Sequence, residues 1–417
     1  MNVSQPPETP ADLRPRALAA SLEQALQAAP VVVVTGARQT GKSTLVAASP
    51  IGEGRVYRTL DDPDVLEQAV DDPTGLLGSA PLLTLDEVQR APQLLVAIKR
   101  AVDTRRKPGR FLLTGSANLL LMRRVSESLA GRATYLNMWP LTAREQRGLG
   151  TAGLWTEFFD TPQAAWPDDA LGDERVPKTE WQTLARHGGY PTPALHARSE
   201  ADRAAWFEGY RRTYLERDLR QLSAISDLVD FDRVMRGAAL RVGNILDQTE
   251  LARDMGVSRP TVHRYLNLLE TSYQLVRVPA YSVNRTKRLI KSPKLYWGDT
   301  GLALHLADEP DPGGAHLENL VLTDLIAWRD TLIPRPSVLY WRTVDGAEVD
   351  FVIEWRKKLL AIEVKASNEP THRDARGIRL FLEEYGGRAL GGLVIHAGSE
   401  TKWLSTGILA VPWWRVL

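Results

Sequence analysis

Gly36-Ala37-Arg38-Gln39-Thr40-Gly41-Lys42-Ser43 follows Val31-Val32-Val33-Val34-Thr35 and leads into Thr44-Leu45-Val46-Ala47-Ala48. The β-branched run reads as a buried parallel strand, and 44–48 as the start of a helix. Between them the spacing G-x-x-x-x-G-K-[ST] is that of a loop that cradles phosphates. Its glycines let the backbone curl so that amide N–H groups converge on a β-phosphate, while the helix N-terminus adds partial positive charge. Gly36, Ala37, Arg38, Gln39, Thr40, Gly41, Lys42, Ser43 and Thr44 are therefore the expected phosphate contacts. Lys42 is expected to bridge the β- and γ-phosphates, and the Ser43 hydroxyl to ligate Mg²⁺.

Outward from this loop, apolar strand-length runs recur at 81–85 and 110–114, with helical stretches at 13–29 and 92–104. This alternation predicts an α/β domain with a parallel sheet over 13–145. Leu82-Leu83-Thr84-Leu85-Asp86-Glu87 ends an apolar strand in two carboxylates, and strand ends of a parallel sheet share the edge where ligands bind. Asp86 is expected to hold Mg²⁺ through water, and Glu87 to polarise the hydrolytic water. The next strand runs into Thr114-Gly115-Ser116-Ala117-Asn118, where Ser116 and Asn118 are candidates to hydrogen-bond a γ-phosphate or the water. Arg123, Arg124 and Arg132 follow, and Arg132 is favoured to neutralise charge on the transferring phosphoryl group.

Together these residues resemble the AAA+ class of P-loop ATPases. Thr114-Gly115-Ser116, Glu127-Ser128-Leu129-Ala130-Gly131-Arg132, Gly188-Gly189-Tyr190-Pro191 and Tyr214-Leu215-Glu216-Arg217-Asp218 look like a widespread prokaryotic family of such ATPases with an uncharacterised C-terminal domain. The resemblance spans about 15 to 400. It implies ATP as the nucleotide, since nothing in the loop itself reads the base.

Beyond the ATPase, 146–235 reads as a helical linker or lid, and 236–290 as a winged helix-turn-helix. In 248–267, Ala252 is small where two helices cross, Gly256 falls at the turn, and Val262 is an apolar core position. Ser258-Arg259-Pro260 starts the second helix, as cap and first turn. That helix would present Arg259, Thr261, His263 and Arg264 outward, residue types suited to phosphates and base edges. Residues 272–283 read as a wing, and Arg285, Lys287, Arg288 and Lys291 add a basic cluster. DNA is the favoured partner; a solvated basic face or a protein-contact module is the alternative.

Residues 291–417 read as a second α/β unit. Glu348-Val349-Asp350-Phe351 and Leu360-Ala361-Ile362-Glu363-Val364-Lys365 are strands of a hairpin turning at Arg356-Lys357, and alternation puts Glu363 and Lys365 on one face. The spacing D-x(12)-E-x-K resembles the PD-(D/E)XK nuclease core, a restriction-endonuclease-like fold, with Glu318 as its helical acid. Glu318, Asp350, Glu363 and Lys365 are thus the candidate site for a second divalent metal.

Composition bounds the rest. Lys plus Arg (52) nearly equals Asp plus Glu (51), so any basic surface is local. With no cysteine, disulfides, thiolate zinc sites and cysteine nucleophiles are excluded. Residues 1–12 read as disordered, lack the apolar core of a signal peptide, and precede no membrane-length apolar run. A cytoplasmic protein without a membrane partner is expected. The expected function is a DNA-associated ATPase; a nucleotide-dependent protein-docking switch and an ATP-coupled nuclease are the alternatives. A homo-oligomer would follow if the arginine came from a neighbouring subunit.

Overall fold

Alternation along Val31–Thr35 (β1) sorts the first sheet into its two sides: Val31 and Val33 face one helical layer, Val32 and Val34 the other. The computed structural model describes residues 13–115, 129–171, 179–213 and 227–417. Residues 1–12, Ser116, Asn118, Arg123, Arg124 and 214–218 lie outside them. β1 is flanked by Val56–Thr59 (β2), Leu83–Asp86 (β3), Phe111–Thr114 (β4) and Ala133–Asn137 (β5) in the order β2-β3-β4-β1-β5. Every pairing is parallel. Helices Leu18–Ala28 and Lys42–Ala47 cover one face, while Pro63–Asp71, Pro73–Gly78 and Leu94–Thr104 cover the other. The strands β2 and β5 were not expected, because both are half-exposed and short of an apolar run.

The stretch expected as linker or lid is helical in its described residues and well packed. Trp155, Phe158 and Trp166 are fully buried in a core shared with Leu322, Leu325 and Trp328 of a later helix. Helices Gln248–Met255 and Arg259–Thr271 then meet at a tight turn. Gly256 adopts φ 71°, a left-handed conformation that a side chain resists, and Ser258 caps the second helix through the amide of Thr261. Ala252 and Val262 are buried between the two helices. The second helix leads into Leu275–Val278 (β6), which pairs antiparallel with Lys294–Trp297 (β7). The exposed helix Arg285–Ile290 lies between these strands in sequence.

A mixed sheet closes the chain, in the order β12-β13-β11-β10-β9-β8. Its strands are Ser337–Arg342 (β8), Glu348–Trp355 (β9), Lys358–Lys365 (β10), Ala389–His396 (β11), Lys402–Ser405 (β12) and Ile408–Pro412 (β13). Arg356 and Lys357 turn the β9-β10 hairpin with φ of 49° and 64°. Helix Gly314–Asp330 packs on one face of the sheet and Arg376–Tyr385 on the other. No helix among the described residues is long and apolar enough to cross a membrane.

Candidate functional site

The parallel sheet brings β1, β3 and β4 to one edge, where the chain leaves each strand. Gly36 turns there at φ 151°, and a Cβ on it would lie 2.1 Å from the Met138 carbonyl oxygen; Gly41 turns at φ 92° as the N-cap of Lys42–Ala47. Thr40 is buried, its hydroxyl donating to the Ala37 carbonyl at 3.0 Å. Lys42 is 7% exposed and donates to the Gly36 and Ala37 carbonyls at 3.2 and 2.6 Å. Arg16 braces the loop from outside the motif. It donates to the Thr40 carbonyl at 2.7 Å and pairs with Glu145 at 3.0 Å.

Asp86 is 4% exposed at the tip of β3. Tyr57 of β2 donates its hydroxyl to one carboxylate oxygen at 2.5 Å, and Thr114 of β4 donates to the other. Ser43 stands near the Tyr57 hydroxyl and opposes part of its shift. Burial first, and then the Asp86 charge, hold the Tyr57 hydroxyl well above its ordinary pKa, so it stays a donor. No motif marked Tyr57, because it sits in a strand too short to be legible. Glu87 turns away from the strand at φ 57° and accepts from Gln89. Burial, then the charge of Asp86, raise its carboxyl above the usual range, against the pull of Lys42. A carboxylate so raised is a better proton acceptor.

Arg132 does not join this edge. It precedes β5, whose first residue, Ala133, pairs with Val31 at the start of β1, so it stands at the opposite end of the sheet from Gly36. There it makes a bidentate pair with Asp103, at 2.6 and 3.1 Å. Without β5 in view, its nearness in sequence to Thr114 suggested nearness in space. Asn118 lies outside the described residues. Around the loop, a cavity of about 980 Å³ is lined by Arg14, Arg38, Lys42, Ser43 and Glu87, with Pro191, His196 and Tyr210 from the helical region opposite.

A buried network leads from this edge to the helix-turn-helix. Thr35, one residue before Gly36, bonds the Tyr273 hydroxyl at 2.7 Å, and Tyr273 donates to Asn137 at 3.0 Å. Tyr273 follows the second helix at φ 62° and packs edge-on against Trp139. Trp139 in turn donates to Asp330 at 2.8 Å. On the helix itself Arg259, His263 and Arg264 are exposed and Thr261 is half-buried. His263 contacts Gln248 and Asn267 at 3.3 and 3.1 Å.

Glu318, Asp350 and Glu363 also converge, on the edge of the second sheet. Asp350 and Glu363 are 7% and 8% exposed, and Lys365 donates to Glu363 at 2.6 Å. Burial, then the charge of Asp350, raise both Glu318 and Glu363 well above the carboxylate range. At the centre stands Lys294, which sequence reasoning missed. Its one signal was a charge heading the apolar run Leu295-Tyr296-Trp297. Burial opposes its charge, but Asp350, Glu318 and Glu348 more than reverse that and hold it protonated. Among the described residues no carboxylates or imidazoles are grouped so as to hold a metal ion.

Comparison with known proteins matches three successive stretches of the chain. A family model described as an AAA domain matches 28–146, and two domains of unknown function, DUF8612 and DUF4143, match 178–312 and 313–416. The uncharacterized proteins Rv2008c of Mycobacterium tuberculosis and Mb2031c of Mycobacterium bovis are each 34% identical over 408 residues, spanning 95% of this chain and 83% of theirs. Among solved structures, the Walker-type ATPase PABY2304 of Pyrococcus abyssi is 16% identical, covering 71% of this chain and 99% of that one, with a TM-score of 0.43.

Proposed function

The chain belongs to the family of the mycobacterial proteins Rv2008c and Mb2031c, and from that premise we propose that it binds ATP on its AAA domain and hydrolyses it there. The observation that carries this reading is the edge that joins Lys42 and Ser43 to the Tyr57–Asp86–Thr114 cluster and Glu87. Gly36 leaves no space for a side chain beside the Met138 backbone, which fixes the turn from which the loop starts. The donor set of Ser43 hydroxyl and Asp86 carboxylate suits Mg²⁺, which when bound neutralises charge on the β- and γ-phosphates. Lys42 leaves the Gly36 and Ala37 carbonyls for the phosphates, and Glu87 orients and deprotonates the attacking water.

The partner we propose is DNA. Arg259 and Arg264 on the second helix, with Arg285, Lys287 and Lys291 on the arm between β6 and β7, expose cationic side chains around a winged helix-turn-helix, and His263 is exposed between the two arginines. The Thr35–Tyr273 bond supports coupling, since it ties the residue before the phosphate loop to the exit of that helix. The C-terminal sheet, PD-(D/E)XK-like in its acidic cluster, serves in this reading as a platform. DNA-stimulated ATP hydrolysis that disappears with Lys42→Ala is the expected result; no stimulation and no salt-sensitive DNA binding would refute it.

One observation favours a second reading. Leu289 and Ile290, at 87% and 77% exposure on the basic arm, are apolar side chains that a protein partner would cover. In that case a protein, not DNA, is retained in a nucleotide-dependent manner.

A further inference from the structure

Two of the carboxylates expected to bind a second metal, Glu318 and Asp350, surround an ammonium instead, together with Glu348. Lys294 Nζ lies 2.8 Å from Glu318 Oε1, 3.0 Å from Asp350 Oδ1 and 2.5 Å from Glu348 Oε1, and its side chain is 4% exposed. Glu318 and Asp350 each accept a hydrogen bond from the ammonium, and Glu348 completes its shell as an ion pair. Asp350 is held further by the Val364 amide, which donates to its other oxygen at 2.9 Å. Tyr296, also on β7, donates to Glu318. One buried acceptor of the cluster lacks a partner. Glu363 Oε1 accepts from Lys365, but its Oε2 is buried with no partner. Such an orphan costs free energy, whereas a divalent ion, with its higher coordination number, would employ it.

We propose that Lys294 is the resident cation of this acidic site and competes with divalent metal ions for it. With the ammonium in place, a metal ion on the same oxygens would sit against a like charge in a buried site, so the two exclude each other. Asp350, Glu318 and Glu348, joined by Glu363, become metal ligands only when β7 carries the ammonium away. β7 is positioned for this, since its sheet partner β6 follows the helix-turn-helix directly and pairs Val278 with Lys294. Displacement of that unit would move the backbone that aims the lysine. The inference does not depend on nucleotide binding, and its test uses none.

Mn²⁺ binding to the full chain, followed by electron paramagnetic resonance, compares wild type, Asp350→Asn, Lys294→Met and Lys294→Met with Asp350→Asn. Wild type and Asp350→Asn should bind alike, while Lys294→Met gains a site at least about tenfold tighter that the double variant lacks. Lys294→Met leaves buried carboxylates uncompensated and can fail to fold. Lys294→Met with Glu318→Gln relieves part of that charge and should gain an Asp350-dependent site as well, so either variant, once folded, decides. An Asp350-dependent Mn²⁺ site in wild type would overturn the proposal. So would a folded Lys294→Met protein that gains no site.

Discussion

Tyr273→Phe deletes one oxygen and tests whether the phosphate loop and the helix-turn-helix are joined. That hydroxyl bonds Thr35 at 2.7 Å and Asn137 at 3.0 Å, and Tyr273 is 9% exposed, so water replaces it poorly. Two neutral hydrogen bonds at about 0.5–1.5 kcal/mol each give a loss of about 1–3 kcal/mol. The lower half is expected, because Thr35 keeps a contact to Asn137 at 3.2 Å. A double-mutant cycle with Thr35→Val in urea isolates the Tyr273–Thr35 share, about 0.5–1.5 kcal/mol. Lys42 must exchange the Gly36 and Ala37 carbonyls for phosphates, one residue from Thr35. Saturating non-hydrolysable ATP should therefore change the coupling by more than about 0.5 kcal/mol, beyond the usual scatter of such cycles. A coupling identical with and without nucleotide would refute the link.

Gly36→Ala should destabilise the ATPase domain and abolish nucleotide binding, seen by calorimetry, because its Cβ would meet the Met138 carbonyl oxygen at 2.1 Å. Arg132→Ala should leave ATP turnover within about twofold of wild type, since its pair with Asp103 is on the far edge; a loss of about 10³-fold would mean that it acts on a neighbouring subunit. Asp324, buried with Trp155 and Gly153 donating to one oxygen, is raised from 3.8 to about 7, with burial the largest cause. The folded state then binds more protons than the unfolded one between these values, so this group's contribution to stability falls as pH rises from about 4 to 7. About three units correspond to roughly 4 kcal/mol, and Asp324→Asn should flatten the wild-type decline in urea titrations by a substantial part of it.

The phosphate loop was legible because its chemistry is consecutive in sequence and its flanking strand is unmistakably apolar. Asp86 and Glu87 were legible for the same reason, as was the turn at Gly256. What lay hidden depends on pairing across strands. Tyr57 reaches Asp86 from β2, and neither its spacing nor its surroundings distinguish it from any strand tyrosine. The position of Arg132 was misjudged because β5, only partly buried, carries no run that announces a strand. The acidic residues of the second sheet could be read from alternation and spacing, yet their neutralisation could not. Lys294 comes from β7, 56 residues before Asp350, and only the tertiary fold brings the two together.

Glu87→Gln tests the central claim most directly. The substitution keeps the shape and hydrogen-bonding reach of the side chain while removing the proton acceptor. ATP affinity by calorimetry should stay close to wild type, because Lys42, Ser43 and the loop amides are untouched, and single-turnover hydrolysis should fall by about 10²–10⁴-fold. Hydrolysis at the wild-type rate with ATP binding intact would contradict the account.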